Sequence, residues 1–346
     1  MPSLISILLP AYNAADTLDA ALRSVQRQTY PTWECIVADD GSRDATSRIA
    51  RYYARQDERF RLITLPHRGL VATLNRGLDA CRGDAVARMD ADDLMHRERL
   101  AEQGAALEHN PRWVGVGTQV RLFPRDGLKA GRRQYESWLN AINTPRALRA
   151  DAFIECPLAH PTLMLRTRTI RQYRYLDRGW PEDHDLILRL LNDGLNLGTV
   201  PRRLLSWRDA PSRLSRTDLT YSQRQFIRCK AYYLTRFMLQ SIRRPKVRTT
   251  SPDRFQYVLC GYGPTARALR RELARYGFET SHIVDVHPRR IGQSIDGRPV
   301  ITYPELATLT NRFVIAAVAG SVPRRNIRRA LDEMGFRERR DYVCAA

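Results

Sequence analysis

The stretch Ala87-Arg88-Met89-Asp90-Ala91-Asp92-Asp93 most constrains what this chain can fold into. Its three carboxylates come directly after a short apolar run, Ala85-Val86-Ala87. Such a run reads as a buried parallel strand. The acids then leave the sheet at the strand's carboxyl end, where open α/β sheets place their ligands. Crowded carboxylates raise one another's pKa and call for a counterion. A hard divalent cation with oxygen ligands, Mg²⁺ or Mn²⁺, meets that need and brings phosphate oxygens with it. Taken alone, the triplet equally fits a solvated acidic loop ahead of a helix running from Arg97 to His109.

The upstream sequence favours the ligand-binding reading. Ile5 to Pro10 forms an apolar strand that ends in Pro10-Ala11-Tyr12-Asn13. Asp16 or Thr17 is placed to cap a helix reaching Gln28, with Leu18, Ala21, Leu22 and Val25 on one face. Cys35 to Ala38 is a second strand that also ends in acids, Asp39-Asp40-Gly41-Ser42, and Asp44 or Thr46 is placed to cap the next helix. This βαβα alternation predicts a doubly wound, mostly parallel sheet with right-handed crossovers. Two strands therefore deliver carboxylate pairs to one sheet edge, which loop solvation does not explain.

These motifs, in this order, resemble the inverting family 2 glycosyltransferases of the GT-A fold. The resemblance rests on Pro10 to Asn13, Gln28-Thr29-Tyr30-Pro31, Asp39 to Ser42 with Asp44, and Asp90 to Asp93 with Arg99-Leu100. It continues through Gly69-Leu70, Asn75, Ala80, Gly83-Asp84, His160-Pro161 and Arg166. It ends with Glu182-Asp183, Leu186, Arg189, Trp207-Arg208 and Leu214-Ser215, and so spans residues 3–220. The likeness implies that Pro10, Tyr12, Asp39 and Asp40 hold the nucleotide, with Asp40 on the base. A carboxylate suits that contact because uracil N3–H is a donor and a carboxylate only accepts. Asp90 is implied near the ribose and Asp92 on Mn²⁺ or Mg²⁺, with Asp93 as a further ligand or as a partner that supports one. The cation stabilises charge on the leaving nucleoside diphosphate.

Inverting transfer also needs a base to take the acceptor's proton. The likeness implies Asp183 for that role, with Glu182 as the alternative. Without it, the pair reads as acids that complement the positive end of a helix dipole. His160 and Arg208 are implied contacts to acceptor or diphosphate, although His160 fits a hydrogen-bonded structural role as well. The sequence also departs from the pattern: where many relatives carry a histidine two residues after Arg208, this chain has Ala210. No Gln-x-x-Arg-Trp run is present, and no segment nears the ~20 apolar residues of a membrane span. A single-addition transferase is therefore expected rather than a polymer-extruding synthase. The implied donor is a nucleotide-sugar, with UDP the expected nucleotide. The implied acceptor is a lipid-linked or other saccharide of the cell envelope or an exopolysaccharide.

The 346 residues accommodate two domains, and we expect boundaries at 1–220, 221–250 and 251–346. Six scattered cysteines without a Cys-x-x-Cys pair read as reduced thiols of a cytoplasmic protein, and no signal peptide is recognised. Net charge is +20, and 54 of the 57 basic residues are arginine. The excess is localised: residues 201–250 hold 13 basic and 2 acidic side chains. No nucleic-acid-binding module accompanies it, so nucleic acid is not an expected partner. In residues 221–244, Ile227, Ala231, Leu234, Met238 and Ile242 form a helical stripe among Arg224, Arg228, Arg236, Arg243 and Arg244. That stripe either packs within the protein or makes a peripheral contact with an anionic membrane at its inner face.

Residues 244–253 read as a linker. Beyond it, Tyr257 to Cys260, Gly261-Tyr262-Gly263-Pro264-Thr265-Ala266, a helix to Tyr276 and a strand ending at Asp285 follow the order of a Rossmann-like unit. Asp285, Pro288, Gly292 and Gly297 to Val300 resemble small Rossmann-like domains attached to sugar-modifying enzymes. Gly261, Gly263 and Asp285 are the candidate nucleotide contacts there. The alternatives are nucleotide sensing, a docking or oligomerising role with an empty site, or an NAD-linked oxidoreductase. The last lacks a visible catalytic pair for hydride transfer.

Overall fold

The computed structural model describes residues 2–211, 213–242, 255–285, 287 and 289–346. The expected linker at 244–253, Arg243, Arg244 and Pro288 lie outside the described residues. In chain order, β1 (Ile5–Ala11), α1 (Ala15–Gln26), β2 (Trp33–Asp39), α2 (Thr46–Gln56), β3 (Phe60–Thr64), α3 (Leu70–Ala80) and β4 (Ala85–Arg88) give the predicted βα alternation. They are followed by β5 (Leu94–Met95), α4 (Arg99–His109), β6 (Trp113–Phe123), α5 (Ala130–Asn140), α6 (Pro145–Asp151), β7 (Met164–Arg166), α7 (Thr167–Tyr173), α8 (Glu182–Asn192) and β8 (Asn196–Arg208). The strands form one sheet in the order β3-β2-β1-β4-β7-β6-β8-β5. β3, β2, β1 and β4 are mutually parallel, β7 and β5 run antiparallel to their neighbours, and β6 and β8 pair in parallel.

The core follows from the strand composition. Every residue of β1 and β2 is buried, as expected for apolar runs covered on both faces. α1 turns Leu18, Ala21, Leu22 and Val25 onto the sheet, the face predicted from their spacing. Its cap differs from expectation. Asp16 and Thr17 lie inside the first turn, and the cap position is Ala14. The open N–H groups are served from a distance: Ala14 donates to Thr46 Oγ1 (2.7 Å) and Ala15 to Asp44 Oδ2 (3.0 Å). Asp44 Oδ1 also accepts from Thr46 N–H at 2.9 Å. One acid thus secures two helix starts and ties the loop after β1 to the loop after β2.

The chain divides into two compact units. The first comprises Met1–Leu148, Pro157–Arg178 and Asp185–Arg213; the second comprises Arg149–Cys156, Gly179–His184 and Leu214–Ala346. The second unit contains α9 (Leu214–Thr217), α10 (Gln223–Ile242), β9 (Gln256–Cys260), α11 (Pro264–Ala274), β10 (Thr280–Val284), β11 (Ser294–Ile295) and β12 (Arg298–Ile301). It closes with α12 (Tyr303–Thr308), β13 (Arg312–Ala316), α13 (Ser321–Glu333) and β14 (Tyr342–Cys344). Its sheet has the order β11-β12-β10-β9-β13-β14, parallel except for the β11–β12 hairpin. That is the strand order of a small Rossmann-like unit.

Helix α10 buries four members of its stripe inside the second unit, the side chain of Ile242 lying outside the described residues. Ile227, Ala231, Leu234 and Met238 are enclosed, and so are Cys229, Tyr233 and Phe237 on neighbouring faces. The Phe237 ring meets those of Phe153 and Phe313 at centroid distances of 5.9 and 6.3 Å. Lys230 is buried as well, its Nζ donating to the Ile154 and Ala345 carbonyls at 3.0 and 3.1 Å. Of the two readings for this helix, its apolar stripe follows internal packing, while Arg224 and Arg236 stay exposed. Among the described residues no helix is long and apolar enough to cross a membrane.

Candidate functional site

The first sheet opens between β1 and β4. β1 is parallel to β2 as far as Ala11 and Asp39, but its ladder with β4 stops at Leu8 and Arg88. Pro10 cannot donate an N–H to prolong that ladder. The chain leaves β1 toward β2 on one side and later returns as β4 on the other, so the crevice lies at a topological switch point. Pro10, Tyr12, Asp39, Asp40, Asp90, Asp92 and Asp93 all come to this edge, as the motif order predicts.

The two aspartates after β2 have different surroundings. Asp39 is fully buried and faces inward. Its Oδ1 accepts from Ser42 N–H (3.0 Å) and Ser42 Oγ (2.5 Å), and its Oδ2 accepts from Ser47 Oγ. Asp40 receives the Arg68 N–H on Oδ1 (2.9 Å) and the Gly69 N–H on Oδ2 (3.0 Å). His67 Nδ1 also lies 2.8 Å from Asp40 Oδ2. Gly41 lets the loop after β3 come this close. It has φ +73°, and a Cβ there would lie 2.9 Å from the His67 nitrogen and 3.0 Å from the Leu65 oxygen. Beside Asp40, the Tyr12 ring is 43% exposed, an aromatic ring at the surface next to a held carboxylate.

The acids after β4 form a tight cluster. One ligand atom from each of Asp90, Asp92 and Asp93 lies within 4.8 Å of the others. Asp90 is paired with the buried Arg88 guanidinium at 2.6 Å. Burial pushes its carboxyl up, but Arg88 and Arg213 outweigh that and the net direction is down. Asp92 is raised by burial and by Asp90. Asp93 is raised well above the usual carboxylate range, by burial first and then by its two acidic neighbours. Its Oδ1 accepts from Arg208 N–H at 2.8 Å, whereas its buried Oδ2 has no hydrogen-bond partner among the described residues. An enclosed carboxylate oxygen without a donor, beside two further carboxylates, fits a hard divalent cation. Asp92 and Asp93 are the members least engaged by arginine side chains, which makes them the fitting ligands.

Basic groups surround the cluster. Arg99 is fully buried, with Nε on Gln103 Oε1 and Nη2 on the Arg88 carbonyl, both at 2.8 Å. Burial lowers its pKa to about 9. Arg208 donates Nε–H to the Asp92 carbonyl at 2.7 Å. Arg213 lies 4.5 Å over the Trp207 ring and donates to the Arg208 carbonyl at 3.0 Å. Arg88 and Arg213 were not singled out by the sequence reading. A cation in a buried apolar strand was the available sign for Arg88; Arg213 carried none. His160 is buried, with Nε2 3.0 Å from the Tyr175 hydroxyl, which gives it a structural partner.

Glu182 and Asp183 open α8 and group with the second unit. Glu182 is buried and accepts from the Tyr221 hydroxyl at 2.6 Å. Asp183 is half-buried, and its Oδ1 accepts from His184 N–H at 2.7 Å. In the Rossmann-like sheet, Gly263 caps α11, while a Cβ on Gly261 would lie 2.2 Å from Val318 Cγ2. Asp285 accepts from His287 N–H and from Arg290 Nη1, each at 2.9 Å. Its carboxylate is therefore already engaged by its own loop.

The family described as Glycosyl transferase family 2 matches residues 6–174. The Bacillus subtilis (strain 168) protein EpsE, a glycosyltransferase by name, is 33% identical over 224 residues, 63% of this chain and 77% of EpsE. The O-antigen biosynthesis glycosyltransferase WbnJ of Escherichia coli is 29% identical over 239 residues, 68% of this chain and 89% of WbnJ. Among solved structures, S. aureus TarS 1–349 in complex with UDP-GlcNAc is similar in fold. Its TM-score is 0.51 at 14% identity, covering 80% of this chain and 73% of that one.

Proposed function

The chain belongs to glycosyl transferase family 2, and from that premise we propose that it moves one sugar, with inversion, from a UDP-sugar to a cell-envelope or exopolysaccharide acceptor. The observation that carries the donor half is the Asp90, Asp92 and Asp93 cluster at the sheet's switch point, with the Asp93 Oδ2 buried and without a donor among the described residues. In this reading Asp92 and Asp93 hold Mn²⁺ or Mg²⁺, and Asp90, fixed by Arg88, faces the ribose. The bound cation would supply Lewis-acid stabilisation of the diphosphate leaving group. Arg208 and Arg213 add positive charge at the same place, where charge develops as the sugar–phosphate bond breaks.

Tyr12 stacks on the base and Asp40 accepts its imino N–H, while Pro10 and Asp39 shape the turn that presents them. Asp183 takes the proton from the acceptor hydroxyl as that oxygen attacks the anomeric carbon from the face opposite the nucleotide. Glu182, engaged by Tyr221, supports that helix start. The name of WbnJ, an O-antigen biosynthesis glycosyltransferase, supports a surface-saccharide acceptor. The UDP-GlcNAc held by TarS, a protein of similar fold, is in keeping with a UDP-sugar donor. We place residues 1–220 as the catalytic portion, working in the cytoplasm on a lipid-linked or saccharide acceptor. Residues 251–346 serve as a docking or regulatory module, the engaged Asp285 being the reason.

The test is UDP release from a panel of UDP-sugars with Mn²⁺ and a lipid-linked acceptor. Asp183→Asn is expected to keep donor affinity while kcat falls at least about 10²-fold, the scale of a lost general base. Full turnover by Asp183→Asn would remove Asp183 from the mechanism.

A further inference from the structure

The loop after β3 places a histidine where a nucleobase would sit. The His67 and Tyr12 rings are stacked, with centroids 4.1 Å apart and an interplanar angle of 16°. At the same time His67 Nδ1 lies 2.8 Å from Asp40 Oδ2 and hydrogen-bonds the Asp40 carbonyl oxygen at 3.1 Å. Both oxygens only accept, so Nδ1 carries the hydrogen and donates it to that carbonyl. One flat ring therefore stacks on the tyrosine and sets a ring N–H against Asp40, in van der Waals reach of its carboxylate. Those are the two places where the proposed base site would meet a nucleotide.

We infer that His67 is an intramolecular stand-in for the base, which an incoming nucleobase must displace. This rests on the reading of Tyr12 and Asp40 as the base site. The parts differ in their freedom to move. Asp40 is held by two backbone N–H groups, from Arg68 and Gly69, that remain when His67 leaves. The Tyr12 turn is pinned by Asn13 N–H on Ser42 Oγ and by Arg43 N–H on Asn13 Oδ1, both at 2.9 Å. The His67 side chain is 54% exposed, against 6% for Asp40, so it can swing into solvent without opening the core. Its departure frees the Tyr12 face and an acceptor position on Asp40 Oδ2. A carboxylate has about four such positions, and two are taken here by N–H groups.

The arrangement also selects among bases. A base that stacks on Tyr12 and donates an N–H to Asp40 Oδ2, as uracil can at N3 and guanine at N1, gains a hydrogen bond to the carboxylate that His67 does not make. His67 thus sets a threshold: a base that only stacks gains little over the ring it displaces. The apparent affinity for every nucleotide is reduced by the fraction of time the slot stands open.

The experiment is calorimetry of UDP with Mn²⁺ on wild type, His67→Ala, Asp40→Asn and Tyr12→Ala, with uridine titrated into wild type by proton NMR. Removing a stacked, hydrogen-bonded competitor is expected to tighten UDP binding about three- to tenfold. Binding of Mn²⁺ and pyrophosphate should be unchanged in His67→Ala. In wild type, uridine should move the His67 ring protons downfield, out of the Tyr12 ring current, and pyrophosphate should leave them in place. This readout needs no substitution. Weaker UDP binding by His67→Ala would make His67 a direct contact and overturn the inference. So would unchanged affinity with unmoved ring signals. If Asp40→Asn and Tyr12→Ala weaken UDP while His67→Ala does nothing, the stand-in alone fails. If neither of those two affects UDP, the base site is elsewhere and both readings fall.

Discussion

Asp93→Asn separates electrostatic strain in the acidic cluster from loss of structure. Asn keeps an oxygen for the Arg208 N–H that Asp93 Oδ1 now accepts at 2.8 Å, and it replaces the donor-less Oδ2 with an N–H₂ facing Asp90 and Asp92. Two like charges at the cluster's outer separation of 4.8 Å repel by about 3 kcal/mol at an effective dielectric constant of about 20. The ion pair between Arg88 and Asp90 and the Arg208 N–H offset part of that. We expect the metal-free variant to be more stable than wild type by about 1–3 kcal/mol, a rise in Tm of about 3–8 °C.

The pH dependence has a definite sign. Burial and its neighbours raise the Asp93 carboxyl in the folded state, so between the unfolded value of about 3.9 and that raised value the native protein binds more protons. Metal-free wild type therefore loses stability as pH climbs from about 4 through this window, and Asp93→Asn lacks that loss. Mn²⁺ should reverse the order by stabilising wild type, by about 2.7 kcal/mol at a hundredfold excess over Kd, and the variant much less. Thermal melts in EDTA and in Mn²⁺ from pH 5 to 8 read all of this. A variant that melts below wild type in EDTA, or gains as much from Mn²⁺, would refute the reasoning.

Two further substitutions test the supports of the site. Arg99→Met leaves Gln103 Oε1 and the Arg88 carbonyl without their buried donor; urea unfolding should show a loss of about 2–4 kcal/mol, and a loss under 1 would contradict the bracing role. Gly41→Ala forces a Cβ to 2.9 Å from the His67 nitrogen at φ +73°; Tm should fall by the equivalent of about 1–3 kcal/mol and UDP affinity should drop, whereas wild-type behaviour in both would show that the loop yields.

What could be read from the sequence was local. The run Ala85 to Ala87 followed by acids, and the pattern Leu18, Ala21, Leu22, Val25, each contain their own strand or helix period, and both came out as expected. Asp16 or Thr17 as a cap failed because the donors of α1 are met by Thr46 and Asp44, about 30 residues on. The stripe of α10 has the same spacing whether it faces lipid or protein; only its enclosure together with Cys229, Tyr233 and Phe237 distinguishes the two. Arg213 and His67 were invisible for a related reason. A single basic residue carries no period or spacing, and its meaning comes from the ring or carboxylate it meets across the fold.

The central claim is that the acids after β4 form a metal-dependent nucleotide site. Calorimetry of UDP binding to wild type and Asp92→Ala, in Mn²⁺ and in EDTA, tests it most directly. Wild type should bind UDP in Mn²⁺ and bind it markedly less in EDTA, and Asp92→Ala should show no metal-dependent binding. Equal UDP affinity with and without metal, or in Asp92→Ala and wild type, would contradict it.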